Sequence, residues 1–185
     1  MPFRGFAAVP VPAEPPLVAL LEELGRLQAD VRPVDPAQLH FTLSFLGQLP
    51  DEAREPLAAA LADAARPLAP FQLTLHGVGA FPSARRPRVV WAGVRDPRPM
   101  VELALRTRDA FAATGHRGDE KDFRAHLTLA RVKSERGVEE LVRFLRAHGD
   151  HALPTVEVRE ARLYKSVLGP HGPTYETLAT APLGG

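Results

Sequence analysis

The chain is predicted to fold as an α+β protein. Two antiparallel-sheet lobes should be related by a pseudo-two-fold, with helices on the outside and a central cleft. Three observations predict this. Alternating, strand-like segments are interleaved with segments of helical periodicity. The order motif strand, acid-started helix, strand, turn, strand runs from about residue 40 to 94 and again from 126 to 183. Both copies open on matching segments, LHFTLSFL (39–46) and RAHLTLAR (124–131), each carrying His-x-Thr-Leu.

Taken in order, FRGFAAVPV (3–11) reads as an opening strand stopped by proline. PLVALLEELGRLQAD (16–30) sets Leu17, Leu20, Leu21, Leu24 and Leu27 on one side of a helix. LHFTLSFLG (39–47) alternates and is a strand. DEAREPLAAALADAARPL (51–68) opens on two acids and is a helix interrupted, or started late, by Pro56. FQLTLHGVGAF (71–81) and PRVVWAGV (87–94) form a hairpin around the basic connection PSARR. PMVELALRTRDAFAATG (99–115) is an amphipathic helix with Gly115 as its stop. HRGDEKD is a polar loop leading into FRAHLTLARV, a strand. GVEELVRFLRAHG (137–149) is a helix. TVEVREARLYKS (155–166) and TYETLATAPL (174–183) are strands around the turn VLGPHGP. All of this fits within one domain, residues 1–185, made of two similar lobes.

Composition narrows the chemistry. With 45% hydrophobic and 24% charged residues the chain can fold around a core. It has no cysteine, which excludes disulfides, thiolate metal sites and a cysteine nucleophile. The proline-broken N-terminal run is too short for a signal peptide or a membrane span, so a cytoplasmic protein with no membrane association is expected. Of the 23 basic residues only Lys121, Lys133 and Lys165 are lysines. Arginine suits bidentate phosphate contact, but codon bias is the weightier explanation, so the arginine count alone does not imply RNA.

Residues i and i+2 of a strand share a face. His40 and Thr42 therefore point one way while Phe41 and Leu43 pack behind. The same holds for His126 and Thr128, backed by Leu127 and Leu129. Two such strands facing one cleft bring together two imidazoles and two hydroxyls. One imidazole can accept a proton while the other donates one near neutral pH, and the hydroxyls can donate to phosphate oxygens. No metal or cofactor is called for: there is no His-x-His, no His-Glu-x-x-His, no nucleophile elbow and no phosphate loop. Which histidine is acid and which is base is open at this point.

The segments LHFTLSFLGQL, GVGAFPSARRPRVVWAGV, FRAHLTLARV and LYKSVLGPHGPTYETLA, in that order, resemble the RNA 2′,3′-cyclic phosphodiesterases, or 2′-5′ RNA ligases, of the 2H phosphoesterase superfamily. The resemblance runs nearly end to end. It implies hydrolysis of a terminal 2′,3′-cyclic phosphate on RNA to a 2′-phosphate. It further implies His40 as proton donor, His126 as proton acceptor, and Thr42 and Thr128 holding the phosphate. The reverse reaction, attack by a 5′-hydroxyl end, would give 2′-5′ ligation without ATP. The implied partner is RNA with 2′,3′-cyclic phosphate ends, and a monomer is expected.

Arg131 matches the family's phosphate-contacting arginine, although strict alternation turns it away from His126, so the strand must end or bulge there. Arg124 shares the face of His126. Tyr164 and Ser166 lie two apart on a late strand that could reach the cleft. Phe45 stands where the second motif has Arg131, so the lobes are not equivalent. Trp91 is read as core, and Arg85, Arg86 and Arg88 as a basic patch that could track RNA. Two other readings stay open: a phosphodiesterase for small cyclic phosphates (a nucleoside 2′,3′-cyclic phosphate or an ADP-ribose cyclic phosphate) and a non-catalytic RNA-end-binding module.

Overall fold

Two antiparallel sheets build the molecule, seen in a computed structural model that describes residues 1–119 and 121–185. Glu120, in the predicted polar loop, lies outside the described residues. The first sheet has the order β3-β1-β8-β9 and the second β2-β6-β5-β4-β7. The strands are β1 (Phe3–Pro10), β2 (Val31–Pro33), β3 (His40–Leu49), β4 (Phe71–Pro82), β5 (Pro87–Val94), β6 (Leu127–Val132), β7 (Ala152–Val158), β8 (Glu160–Gly169) and β9 (Gly172–Pro182). The helices are α1 (Pro15–Arg26), α2 (Arg54–Ala65), α3 (Arg98–Ala113) and α4 (Val138–His148).

Each sheet buries one face under two helices. α2 and α3 pack on the first sheet, and α1 and α4 on the second. The leucines predicted to line one side of α1 do so: Leu17, Leu20, Leu21 and Leu24 are buried. α2 is preceded by a 3-10 turn over Asp51–Ala53 and starts at Arg54, so Pro56 falls in its first turn, where no intrahelical N–H is lost. Leu57, Leu61, Met100, Leu103 and Phe111 are fully covered, each side chain contributing about 1.5–3 kcal/mol. One buried cluster joins both helix-covered faces, with Phe41, Leu43, Leu127 and Leu129 of the motif strands at its centre.

The internal echo survives, but the lobes are not the contiguous halves it suggested. The hairpin β4–β5, which follows the first motif strand, pairs with β6, the second motif strand. The hairpin β8–β9, which follows the second motif, joins β3 through β1. Each lobe therefore combines the motif strand of one half with the hairpin of the other. Three local differences accompany this. β2 is only three residues long, too short to show a period, and its Pro33 suits a sheet edge. The predicted strand 155–166 is two strands, β7 and β8, which turn from one sheet to the other at Arg159. β6 begins at Leu127, so His126 sits just ahead of the ladder.

Trp91 is not core. It pairs with Thr128 on the uncovered face of the second sheet and is half-buried there. Its indole lies flat over Gly79, where a Cβ would stand 2.5 Å from the ring. Gly79→Ala is expected to cost about 1–3 kcal/mol by overpacking, read as a lowered urea midpoint. An unchanged midpoint would mean that the indole does not rest on this strand.

Candidate active site

The uncovered faces of the two sheets meet along β3 and β6. On the first sheet, Phe6, Tyr164 and Tyr175 form an aromatic floor around His40. The Phe6 ring lies 5.3 Å from the imidazole, and the Tyr175 ring meets it edge-on, also at 5.3 Å. On the second sheet, Phe81 packs edge-on against His126 at 5.0 Å and lies tilted against Trp91 at 5.2 Å.

The two imidazoles are held by the same device. His40 Nδ1 donates to the Gln38 carbonyl at 2.7 Å, and His126 Nδ1 donates to the Arg124 carbonyl at 2.7 Å. A carbonyl can only accept, so each neutral ring carries its hydrogen on Nδ1 and presents Nε2 as a bare acceptor. Arg124 thus serves His126 through its backbone while its own side chain is exposed. Thr42 and Thr128 are half-buried, each on the face of its histidine.

The bulge that Arg131 requires is present. Thr128 pairs with Trp91 and Ala130 with Val90, so Leu129 is an extra residue in β6. Leu129 and Ala130 are both buried, and Arg131 comes round to the face of Thr128. The first motif repeats this at the same position. Thr42 pairs with Ala8 and Ser44 with Ala7, leaving Leu43 extra, and Phe45 returns to the face of Thr42. There it lies 6.1 Å from Phe6 and is half exposed.

Charge is unevenly shared. Burial against the aromatic floor holds His40 below its ordinary value of 6.5, and the positive charges of Arg131 and His126 lower it further, against the Gln38 hydrogen bond that raises it. Burial likewise pushes the Tyr175 phenol up, with Arg131 opposing. Arg131 therefore acts on both His40 and Tyr175 from across the cleft.

The remaining expected residues are only partly gathered. Tyr164 is buried in the floor, where burial pushes its phenol up, with Arg162 opposing. Ser166 pairs with Tyr175 near the rim. Arg88 shares the face of buried Val90, so Arg85, Arg86 and Arg88 line a hollow with Val132 and Val138 on the helix side of the sheet, away from the cleft.

Arg108 of α3 is a residue that sequence reading missed. Its Nε donates to the carbonyl of Leu43, the bulge residue, at 3.1 Å. Its Nη1 donates to the Lys121 carbonyl at 2.6 Å, on the segment that delivers His126. One guanidinium thus ties the first motif to the approach of the second. Its sequence signal, an arginine on a helix face, is indistinguishable from a solvated charge.

The lowered affinity of His40 for a proton has a stability consequence. The unfolded chain binds a proton near 6.5 and the folded one only below that. Stability is therefore full above 6.5 and falls as pH drops from there through the folded value. Urea midpoints compared at about pH 7.5 and about pH 5 should fall more for wild type than for His40→Gln. Parallel falls would show that His40 is not desolvated.

Comparison with known proteins agrees with this geometry. The LigT like Phosphoesterase family model matches residues 9–91 and 95–175, each stretch holding one His-x-Thr. An RNA 2′,3′-cyclic phosphodiesterase of Archaeoglobus fulgidus is 37% identical over 159 residues, 86% of this chain and 87% of that protein. One of Aeropyrum pernix is 36% identical over 88% of this chain and 92% of its own length. TT0787 of Thermus thermophilus superposes with a TM-score of 0.75 at 32% identity, covering 98% of both chains. Escherichia coli LigT in complex with 3′-AMP superposes at 0.74 and 27% identity, covering 99% of both. With both halves matched by the family model, and with both His-x-Thr pairs brought to one cleft, the chain belongs to the LigT-like phosphoesterase family.

Proposed function

We propose that the protein hydrolyses the 2′,3′-cyclic phosphate at the end of an RNA, leaving a 2′-phosphate, by metal-independent general acid–base catalysis. The observation that carries this reading is the pair of carbonyl-pinned imidazoles, each beside a threonine, in a chain whose relatives are named RNA 2′,3′-cyclic phosphodiesterases.

In this mechanism the cyclic phosphate lies between the two sheets. Nε2 of His126 takes a proton from a water molecule as the water oxygen bonds to phosphorus. The bond from phosphorus to the 3′-oxygen breaks on the opposite side, and Nε2–H of His40 protonates the departing oxygen. Thr42, Thr128 and Arg131 donate to the non-bridging oxygens as their charge grows. A 5′-hydroxyl end in place of water, attacking phosphorus as the bond to the 3′-oxygen breaks in the same way, gives a 2′-5′ linkage. No ATP is consumed, because the strained cyclic ester supplies the driving force.

The pinned tautomer adds a requirement. Neutral His40 has its one hydrogen on Nδ1, committed to Gln38, so only the imidazolium can donate from Nε2. Free His40 resists that charge. The anionic substrate must therefore restore it, by placing negative charge against His40 and offsetting Arg131 and His126. Titration of the His40 imidazole by NMR should give a value below 6.5 in the free protein and an upward shift with inorganic phosphate bound. A value that does not rise would remove His40 from the donor role.

The activity test uses an end-labelled oligoribonucleotide with a 2′,3′-cyclic phosphate, with EDTA and without ATP. Wild type should yield the 2′-phosphate, and His126→Ala should be slower by about 10²–10⁴-fold. A 3′-phosphate product would reverse the regiochemistry, and no conversion at all would remove RNA ends as substrate. The second reading, a small cyclic phosphate as substrate, draws support from the capture of a mononucleotide, 3′-AMP, by E. coli LigT. Retention of RNA by wild type without turnover would favour the binding-module reading instead.

A further inference from the structure

Arg32 of β2 lies directly opposite Arg131 of β6 in the antiparallel register, so the two side chains share the cleft face. Like charges in that position repel. Among the described residues neither guanidinium has a carboxylate within salt-bridge distance, and both side chains are exposed. Arg32 is nevertheless not a loose surface charge. It donates through Nη2 to the His171 carbonyl and lies over the β8–β9 turn at Gly172, where a Cβ would stand 3.6 Å from Nη2. The turn also receives the Gln38 side chain, which donates to the Pro173 carbonyl at 3.2 Å. The first sheet's hairpin thus steadies an arginine of the second sheet while supplying no negative charge to offset the pair.

The position of the pair indicates what would supply that charge. Because of the bulge, Arg131 stands one face-step beyond Thr128, about 7–10 Å along the strand, and Arg32 lies on the edge strand outside it. A nucleotide whose cyclic phosphate sits between the His-x-Thr pairs carries its next phosphate on the 5′ side of the same ribose. We propose that Arg32, standing outside Arg131 while Arg131 serves the cyclic phosphate, forms a second anion subsite that receives this 5′-phosphate, which in an RNA is the phosphodiester to the penultimate nucleotide. The inference rests on the cyclic phosphodiesterase reading and sharpens it, since such a subsite would favour a polynucleotide end over a bare nucleoside 2′,3′-cyclic phosphate.

The test compares adenosine 2′,3′-cyclic phosphate with and without a 5′-phosphate, using wild type, Arg32→Gln and Arg32→Lys. For wild type the 5′-phosphate should raise kcat/KM about tenfold, mainly through KM, as one charge-assisted contact would. Arg32→Gln should remove that advantage, Arg32→Lys should keep part of it, and added salt should shrink it in wild type. A preference that survives in Arg32→Gln, or no preference in wild type, overturns the subsite. So does an equal loss on both substrates with a lowered Tm, which would assign Arg32 to holding the turn. If wild type turns over neither compound and does not convert the end-labelled oligoribonucleotide, the cyclic phosphodiesterase reading fails, and in either case the subsite is judged by calorimetry with adenosine 5′-monophosphate against adenosine. The 5′-phosphate must then strengthen binding in wild type and not in Arg32→Gln; equal affinities overturn it.

Discussion

The cleft depends on a residue inserted at the same place in each motif strand, directly after its threonine. A regular strand starting at His126 would send Arg131 to the helix-covered side, where an unpaired guanidinium would be left beside Leu127 and Leu129. The extra residue at Leu129 rotates the end of the strand and returns Arg131 to the cleft. The same insertion at Leu43 brings Phe45 round beside Phe6. Both bulges are anchored, since the inserted leucines are fully buried and the Arg108 guanidinium satisfies the Leu43 carbonyl at the sheet edge. Leaving that carbonyl without a donor would cost about 1–3 kcal/mol, and the loss would fall on the strand that carries His40 and Thr42.

Symmetry of backbone and asymmetry of side chain then divide the labour. The carbonyl-to-Nδ1 bonds are equal in length on the two sides, so the two imidazoles are presented alike. Their surroundings are not alike. His40 is enclosed by Phe6 and Tyr175 and faces two positive groups. His126 has the edge of Phe81 beside it. A pseudo-symmetric scaffold can carry out a directional proton transfer only if something breaks the equivalence. Here the substitution of Arg131 for Phe45 at the matched position does so.

Much of this was legible in the sequence because it rests on periodicity and repetition. The two His-x-Thr pairs, the core leucines behind them and the helices were readable from spacing alone, and the need for a bulge at Arg131 followed from counting residues. What escaped was whatever depends on contacts between distant segments. Trp91 looks like core within VVWAGV, and only its pairing with Thr128 over Gly79 shows it on the open face. Arg32 and Arg108 act through carbonyls 139 and 65 residues away, for which a single sequence holds no signal. The crossed hairpins escaped for the same reason: element order was repeated faithfully, while strand pairing was exchanged between the repeats.

That exchange governs how the molecule can be assembled. β1 is the inner strand that joins His40's strand to β8, so the first residues of the chain wait for residues 162–166 before their sheet is complete. During synthesis β1 and β3 emerge early as a two-stranded ribbon, marginal by itself, with one edge open to wrong partners. The second sheet can close sooner, because β7 is its last strand and precedes β8 and β9. Loop-closure entropy makes such end-to-end pairing slow. The half of the cleft that holds His40 is therefore the last to become competent on the ribosome, and a chain truncated within β8 would leave it unbuilt.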